Sequence, residues 1–258
     1  MIRIDQYLVK MGYASSRTLA KKLIEANAVS VDGGKISRAS ALIDEECEHN
    51  VTVTEKFKYV SRGGYKLEGI LNAGKIDVRE KICIDIGAST GGFTDCLLQS
   101  GASHVYAVDS GTNQLAPSIA SDARVTVLEK TNARSLDFDI IKEKANIIVM
   151  DVSFISQTLI HPTVNKFLLD DGLFITLIKP QFELTRSAIG KGGIVKSKAD
   201  RHLAAKKVID SCRNFDLYPL LLTDSTILGG DGNHEYTAIF CRNELLGYNV
   251  ENEIKKLS

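Results

Sequence analysis

An α/β fold with a seven-stranded, doubly wound sheet, preceded by a small α+β domain, is what this sequence predicts. Three observations carry that prediction. Apolar runs of strand length alternate with helix-period segments over most of the chain; one run breaks into glycines and resumes as a helix; and residues 1–42 have a basic pattern of their own. At 258 residues the chain is long enough for one large domain plus a small one.

The small domain comes first. Ile4, Leu8 and Val9 give a short amphipathic helix, and after Ser15-Ser16 the spacing of Leu19, Leu23 and Ile24 gives a second. A strand at 28–31, a turn at Asp32-Gly33-Gly34 and a strand at 51–54 follow. The whole chain balances 32 basic against 32 acidic residues, so overall charge makes no case for nucleic acid. Residues 1–42, however, hold seven basic residues (Arg3, Lys10, Arg17, Lys21, Lys22, Lys35, Arg38) against three acidic (Asp5, Glu25, Asp32), a net of 7 − 3 = +4. Lys10, Arg17, Lys21 and Lys22 fall off the apolar stripe, where they can present charge to phosphates. Arg3, Arg62 and Lys191 join them as candidates for RNA contact, Lys191 from the basic, glycine-rich loop 190–196.

Residues 57–60 read as a brief linker or strand, and Ser61-Arg62-Gly63-Gly64 opens a helix through Leu67, Ile70 and Leu71. Strands are expected at 82–86, 103–108, 124–128, 146–150, 172–178, 217–223 and 235–241, with helices at 91–100, 155–168 and 198–214. The expected organisation is a first domain at 1–58, a linker at 59–64, a second domain at 65–245 and a C-terminal tail at 246–258. Residues 69–76 nearly spell a phosphate-binding P-loop, but Ile76 stands where the metal-binding hydroxyl belongs and the segment lies in a helix, so it reads as a helix ending at Gly74.

Chemistry concentrates where the strands end. The run Cys83 to Ile86 breaks into Gly87-Ala88-Ser89-Thr90-Gly91-Gly92-Phe93, a turn in which small residues let a ligand approach the backbone. Asp109, 22 positions after Gly87 and at the tip of the next strand, is placed to accept hydrogen bonds from ribose hydroxyls. Two cofactor classes fit this geometry. The dinucleotide fingerprint wants Gly-x-Gly-x-x-Gly, whereas Asp85-x-Gly87-x-Ser89-x-Gly91-Gly92 is similar to the S-adenosylmethionine loop of Rossmann-like methyltransferases. Asp85, Gly87, Ala88, Ser89, Gly91, Gly92, Phe93, Asp109 and Asp151 are the candidate cofactor contacts.

In an open α/β sheet ligands bind beyond the carboxyl ends of the strands, which singles out Asp151 after 147–150, Lys179 after 173–178, and Glu235 at the mouth of a glycine-rich loop. Each alone could equally be a cap or a surface ion pair. Five scattered cysteines without a Cys-x-x-Cys pair read as reduced structural thiols, and the five histidines lack ligand spacing, so no metal site is expected. No apolar stretch approaches the roughly 18 residues that span a bilayer and no signal core opens the chain, so a cytoplasmic protein without a membrane partner is expected.

The first 60 or so residues resemble the RNA-binding module named after small-subunit ribosomal protein four. Arg3-Ile4-Asp5-x-x-Leu8, Ser16-Arg17, Ala20, Ile24 and Val29-x-Val31-Asp32-Gly33 carry that resemblance. Residues 59–67, 85–95, 151–156, 177–183 and 232–236 together resemble the TlyA family, ribosomal RNA 2′-O-methyltransferases often labelled haemolysins, with an FtsJ-like catalytic domain of the Rossmann-like class I methyltransferase fold. Tyr65 stands where an aliphatic residue is common in that family.

The resemblance implies S-adenosylmethionine as cofactor, cytidine ribose in ribosomal RNA or a ribosomal subunit as substrate, and a catalytic tetrad of Lys66, Asp151, Lys179 and Glu235. In that reading Lys179 meets the ribose hydroxyl as base or oxyanion stabiliser, Asp151 and Glu235 orient Lys179, and Lys66 positions the ribose or its phosphate. The start, with two residues before Arg3, is similar to members restricted to large-subunit RNA, which favours that substrate over the small subunit. The alternatives are an RNA-binding factor without methyl transfer, against which the intact tetrad argues, and a pore-former, which no segment supports. The oligomeric state is not legible.

Overall fold

The computed structural model describes residues 1–14, 17–54, 58–229, 232–244 and 248–258, and divides the chain into Met1–Lys58 and Tyr59–Ser258. Ser15, Ser16 and Phe57, assigned above to a helix start and a linker, and the domain boundary at 245–246 lie outside the described residues.

The first unit runs β1 (Ile2–Arg3), α1 (Ile4–Lys10), α2 (Arg17–Glu25), β2 (Val29–Val31), β3 (Gly34–Lys35), β4 (Leu42–Ile43) and β5 (Val51–Val53). Strand β2 pairs antiparallel with β3 and β5, and β1 with β4. The β2–β3 turn needs two left-handed residues, and Asp32 (φ 50°) and Gly33 (φ 81°) supply them. Ile4, Leu8, Ala20, Leu23 and Ile24 bury the helical stripes against Val29.

The second unit runs α3 (Arg62–Gly74), β6 (Ile82–Ile86), α4 (Gly92–Gln99), β7 (His104–Val108), α5 (Pro117–Ala120), β8 (Val125–Leu128), β9 (Ala145–Met150), α6 (His161–Phe167), β10 (Leu168–Ile178), α7 (Pro180–Glu183), α8 (Lys198–Arg213), β11 (Tyr218–Asp224), β12 (Tyr236–Cys241) and α9 (Val250–Lys256). Its seven strands lie in the order β11-β12-β10-β9-β6-β7-β8, with β12 antiparallel to both neighbours. Alternation along the strands sends Ile84, Ile148, Met150, Phe174 and Phe240 to a core shared with α6, α8 and α9, and Cys83, Ile147, Val149, Ile175 and Ile239 to one shared with α3 and α4. Both faces are covered, which is why these strands read as unbroken apolar runs.

The chain goes outward through β6, β7 and β8, then returns to lay β9 on the other side of β6. The crevice at this reversal of strand order is where open α/β sheets take their ligands.

Three expectations need correction. The linker 59–64 belongs to the second unit, because Tyr59 is buried in its core and α3 starts at Arg62. The C-terminal tail is not free: Val250, Ile254 and Leu257, spaced to share one helical face, pack into the core as α9 and its end. The helix expected at 155–168 is a 3-10 turn at Gln157–Leu159 followed by α6, because Pro162 lacks the N–H an interior helical position needs and so sits in the first turn.

Candidate active site

The sheet register brings the strand-end residues together. Ile86 is opposite both Val108 and Met150, Thr176 is opposite Met150, and Ile178 is opposite Tyr236. Gly87, Asp109, Asp151 and Lys179 therefore leave the sheet at one edge. Because β12 runs the other way, its beginning, at Glu235, arrives at that same edge.

Between the ends of β6, β7, β8 and β9 lies a cleft of ≈ 380 Å³, lined among others by Gly87, Ser89, Asp109, Asp151 and Phe154. Gly87 (φ 86°) has a backbone no L side chain adopts easily, and a Cβ there would lie 2.5 Å from the Asp151 carbonyl oxygen. The loop amides are engaged within the protein: Gly87 and Ala88 donate to the Val108 carbonyl (2.8 and 3.1 Å), and Ser89 N–H donates to Asp109 Oδ2 (2.8 Å). Asp109 Oδ1 accepts from Gly111 N–H (2.7 Å), so this carboxylate is held in place and keeps lone pairs for a ligand.

Five of the nine cofactor candidates do not line the cleft. Ala88 is buried in the turn. Gly91 faces Leu115 and Ile119; a side chain on Gly92 would strike Ser61 Oγ and the Gly64 nitrogen; and Phe93 is buried against Gly63. Gly92 lets the start of α3 approach the start of α4, and Gly91 leaves room there for Leu115 and α5. Asp85 is fully buried, accepts the Thr94 hydroxyl at 2.7 Å and, among the described residues, has no hydrogen-bond partner for Oδ1. Burial pushes its carboxyl up to about 7, the Asp151 charge adds to this, and the Thr94 hydroxyl opposes it.

The tetrad candidates form two ion pairs. Lys66, carried on α3, donates to Glu235 Oε2 at 2.5 Å, and both side chains are buried. Lys179 Nζ lies 2.6 Å from Asp151 Oδ1 as an ion pair rather than an aligned hydrogen bond, and donates to Ser153 Oγ at 2.9 Å. Glu235 thus orients Lys66 and not Lys179, a correction to the expected roles. The reason is α3, whose packing places Lys66 over the start of β12. A side chain on Gly229 would lie 2.6 Å from Glu235 Oε1, so the glycine-rich loop makes room for this carboxylate.

Several supporting residues escaped the sequence reading. Glu183 is buried, accepts Ser156 Oγ (2.5 Å) and the Gln157 amide (2.8 Å), and so ties the segment after Asp151 to the one after Lys179. Gln157 completes the tie, donating to the Leu177 carbonyl and accepting from Thr176 Oγ1. Thr131, Asn132 and Ala133 line the cleft beyond β8, where the strand-end rule already used would have found them. Phe154 (φ 63°) is 92% exposed at the cleft, 5.2 Å from the Phe182 ring.

Of the RNA candidates, Arg3 and Arg17 both donate to the buried Asp5 (3.0 and 3.1 Å), and the Arg3 guanidinium is the main cause holding that carboxyl below its ordinary range. Lys10 pairs with Glu45 (2.7 Å), Lys21 is exposed and Lys22 is half-buried on α2. In the second unit Arg62 donates to the Leu228 carbonyl (3.2 Å) and Lys191 is exposed.

The family model for FtsJ-like methyltransferases matches residues 59–242, and that for the S4 domain matches residues 2–46. Hemolysin A of Brachyspira hyodysenteriae is 42% identical over 93% of this chain and 99% of its own. The 16S/23S rRNA (cytidine-2′-O)-methyltransferase TlyA of Mycobacterium tuberculosis is 38% identical over 91% of this chain and 87% of its own. The chain belongs to the TlyA family of FtsJ-like methyltransferases. A solved structure named as a hemolysin, from Streptococcus thermophilus, superposes with a TM-score of 0.76 at 36% identity, covering 98% of this chain and 94% of that one.

As a TlyA-family protein it takes S-adenosylmethionine as cofactor. The cleft fits that molecule. Its volume lies within the roughly 300–1,000 Å³ of ordinary ligand sites, Ile86, Val108, Val152 and Ile160 give it apolar walls, and Asp109 offers a fixed carboxylate for ribose hydroxyls. Among the described residues no cluster of His, Cys, Asp or Glu could hold a metal ion, and no helix is long and apolar enough to cross a membrane.

Proposed function

We propose that this protein transfers the methyl group of S-adenosylmethionine to the 2′-hydroxyl of a cytidine in ribosomal RNA, large-subunit RNA being the first substrate to try. The observation that carries the reading is the Lys179–Asp151 pair, whose carboxylate also lines the cofactor cleft. When bound, the cofactor supplies a methyl on a positively charged sulfur as electrophile. A ribose hydroxyl is a weak nucleophile until its proton is taken or its developing charge is met. Lys179 does this, as base or as N–H donor, and Asp151 and Ser153 hold its Nζ at 2.6 and 2.9 Å.

The buried Lys66–Glu235 pair fixes α3 against the start of β12 and sets the charge around the site. Much of the rate comes from alignment, since attack on the methyl must be in line. Phe154 and Phe182 offer an aromatic face of the kind on which unstacked RNA bases rest. In the first unit, the Arg3–Arg17 cluster around Asp5, with Lys21 exposed on the same α2 that carries Arg17, supports phosphate contacts that grip structured RNA without reading its sequence.

The test is transfer of labelled methyl from S-adenosylmethionine to purified ribosomal subunits and to naked ribosomal RNA, with the modified nucleotide then mapped. Label on one cytidine ribose is the expected result. No label on any RNA, with cofactor binding intact, would leave an RNA-binding factor.

A further inference from the structure

Glu235 sits in the motif Gly232-Asn233-His234-Glu235, of which the reaction as described uses only the last residue. Asn233 is 2% exposed and both ends of its side-chain amide are spent on one neighbour, the loop 190–195. Asn233 Oδ1 accepts the Val195 N–H at 3.0 Å, and Asn233 Nδ2 donates to the Gly193 carbonyl at 3.0 Å. Its backbone carbonyl accepts from Gly229 N–H (2.9 Å), and Gly229 is the residue with no room for a side chain beside Glu235 Oε1.

A second tie runs through Arg201. This buried guanidinium donates to the Val195 and Lys196 carbonyls (3.2 and 2.7 Å) and to Tyr236 Oη (3.3 Å), so it links the same loop to the residue after Glu235. Within the loop, Gly192 and Gly193 both adopt left-handed backbone, and Lys191 and Lys196 are exposed on either side of the buried Val195. A basic, glycine-rich tongue is thus rooted, through a buried amide, in the strand start that holds Glu235 on Lys66.

We propose that Asn233 is a positioning residue that couples the 190–196 loop to the Glu235–Lys66 pair. RNA phosphates drawn to Lys191 and Lys196 are then felt at Glu235 through the amide, and the loop in turn holds Glu235 in its working geometry. This rests on the methyltransfer reading above. None of the residues in the coupling lines the cofactor cleft, so the coupling acts on transfer and not on cofactor affinity.

The experiment is a double-mutant cycle in the full-length protein, using single-turnover methyl transfer to ribosomal RNA and calorimetric binding of S-adenosylmethionine. Asn233→Ala should lower the transfer rate ~10- to 100-fold with cofactor affinity and RNA KM within about twofold of wild type. In a Glu235→Gln background the same substitution should cost only a few-fold, because its path to the reaction is already cut. Asn233→Asp, which keeps shape and the acceptor for Val195 N–H, serves if the alanine variant does not fold, and should show a smaller loss with the same non-additivity. Additive losses, an unchanged rate in both variants, or a rate loss matched by lost cofactor binding would each overturn the coupling. A wild-type protein that methylates no RNA would instead overturn the reading beneath it.

Discussion

Lys66 and Glu235 meet at 2.5 Å with side chains 8% and 3% exposed, whereas Lys179 and Asp151 meet at 2.6 Å with side chains 12% and 20% exposed. The first pair is closed off between α3 and the start of β12. The second opens on the cofactor cleft, with Ser153 and the Phe182 ring beside the ammonium. Sealed charges have lost their water and are held by each other, so they act as fixed scaffold and field. Lys179, whose partner carboxylate lines the cleft, is the lysine proposed to meet the ribose. On that proposal, two like pairs near the same sheet edge divide the work by solvent access.

Lys179→Ala breaks this division most severely. Transfer should fall by about 10³-fold or more, while calorimetry finds cofactor affinity near normal. Unchanged transfer would remove Lys179 from the reaction.

Next in size is the sealed pair. Lys66→Met leaves the Glu235 charge buried and alone, at a cost of about 3–5 kcal/mol in a denaturant melt. Adding Glu235→Leu should restore most of that stability without restoring transfer. A double variant as unstable as the single one would mean that the pair is not closed off as described.

On the cofactor side, Asp109→Ala removes the carboxylate proposed to accept the ribose hydroxyls and frees the Ser89 and Gly111 amides. S-adenosylmethionine should bind ~10- to 100-fold more weakly, whereas RNA affinity in its absence stays put. An unaltered dissociation constant would move the ribose elsewhere in the cleft.

A pH dependence sharpens the electrostatics. Asp85, raised from 3.8 to about 7 mainly by burial, keeps its proton in the folded chain after the unfolded chain has released it. Stability therefore falls as pH rises through that window, by up to about 1.4 kcal/mol per pH unit. Asp85→Asn should flatten this slope, so its melting temperature gains on wild type from pH 5 to pH 8. Parallel curves would show that the carboxyl titrates normally.

Strand existence and the location of the candidate site were legible because both depend on local pattern. Apolar runs marked all seven strands of the large sheet, and the polar residue ending a run marked Asp109, Asp151 and Lys179. Partner choice was not legible. Lys66 and Glu235 are 169 residues apart, and only the packing of α3 on the sheet decides that they meet. Gly91 and Gly92 lie outside the cleft lining for a related reason: a small residue signals close approach, but not whether a ligand or another helix approaches. Residues 250–257 carried a helical spacing that a short, polar C-terminal stretch made easy to pass over.

Chemical rescue tests the division between open and sealed lysines most directly. Lys179→Ala and Lys66→Ala would be assayed for methyl transfer to ribosomal RNA in rising concentrations of ethylamine. The amine should restore transfer to Lys179→Ala, whose partner Asp151 lines the cleft, and do nothing for Lys66→Ala. Rescue of Lys66→Ala with none for Lys179→Ala would contradict it and assign the ribose hydroxyl to the other pair.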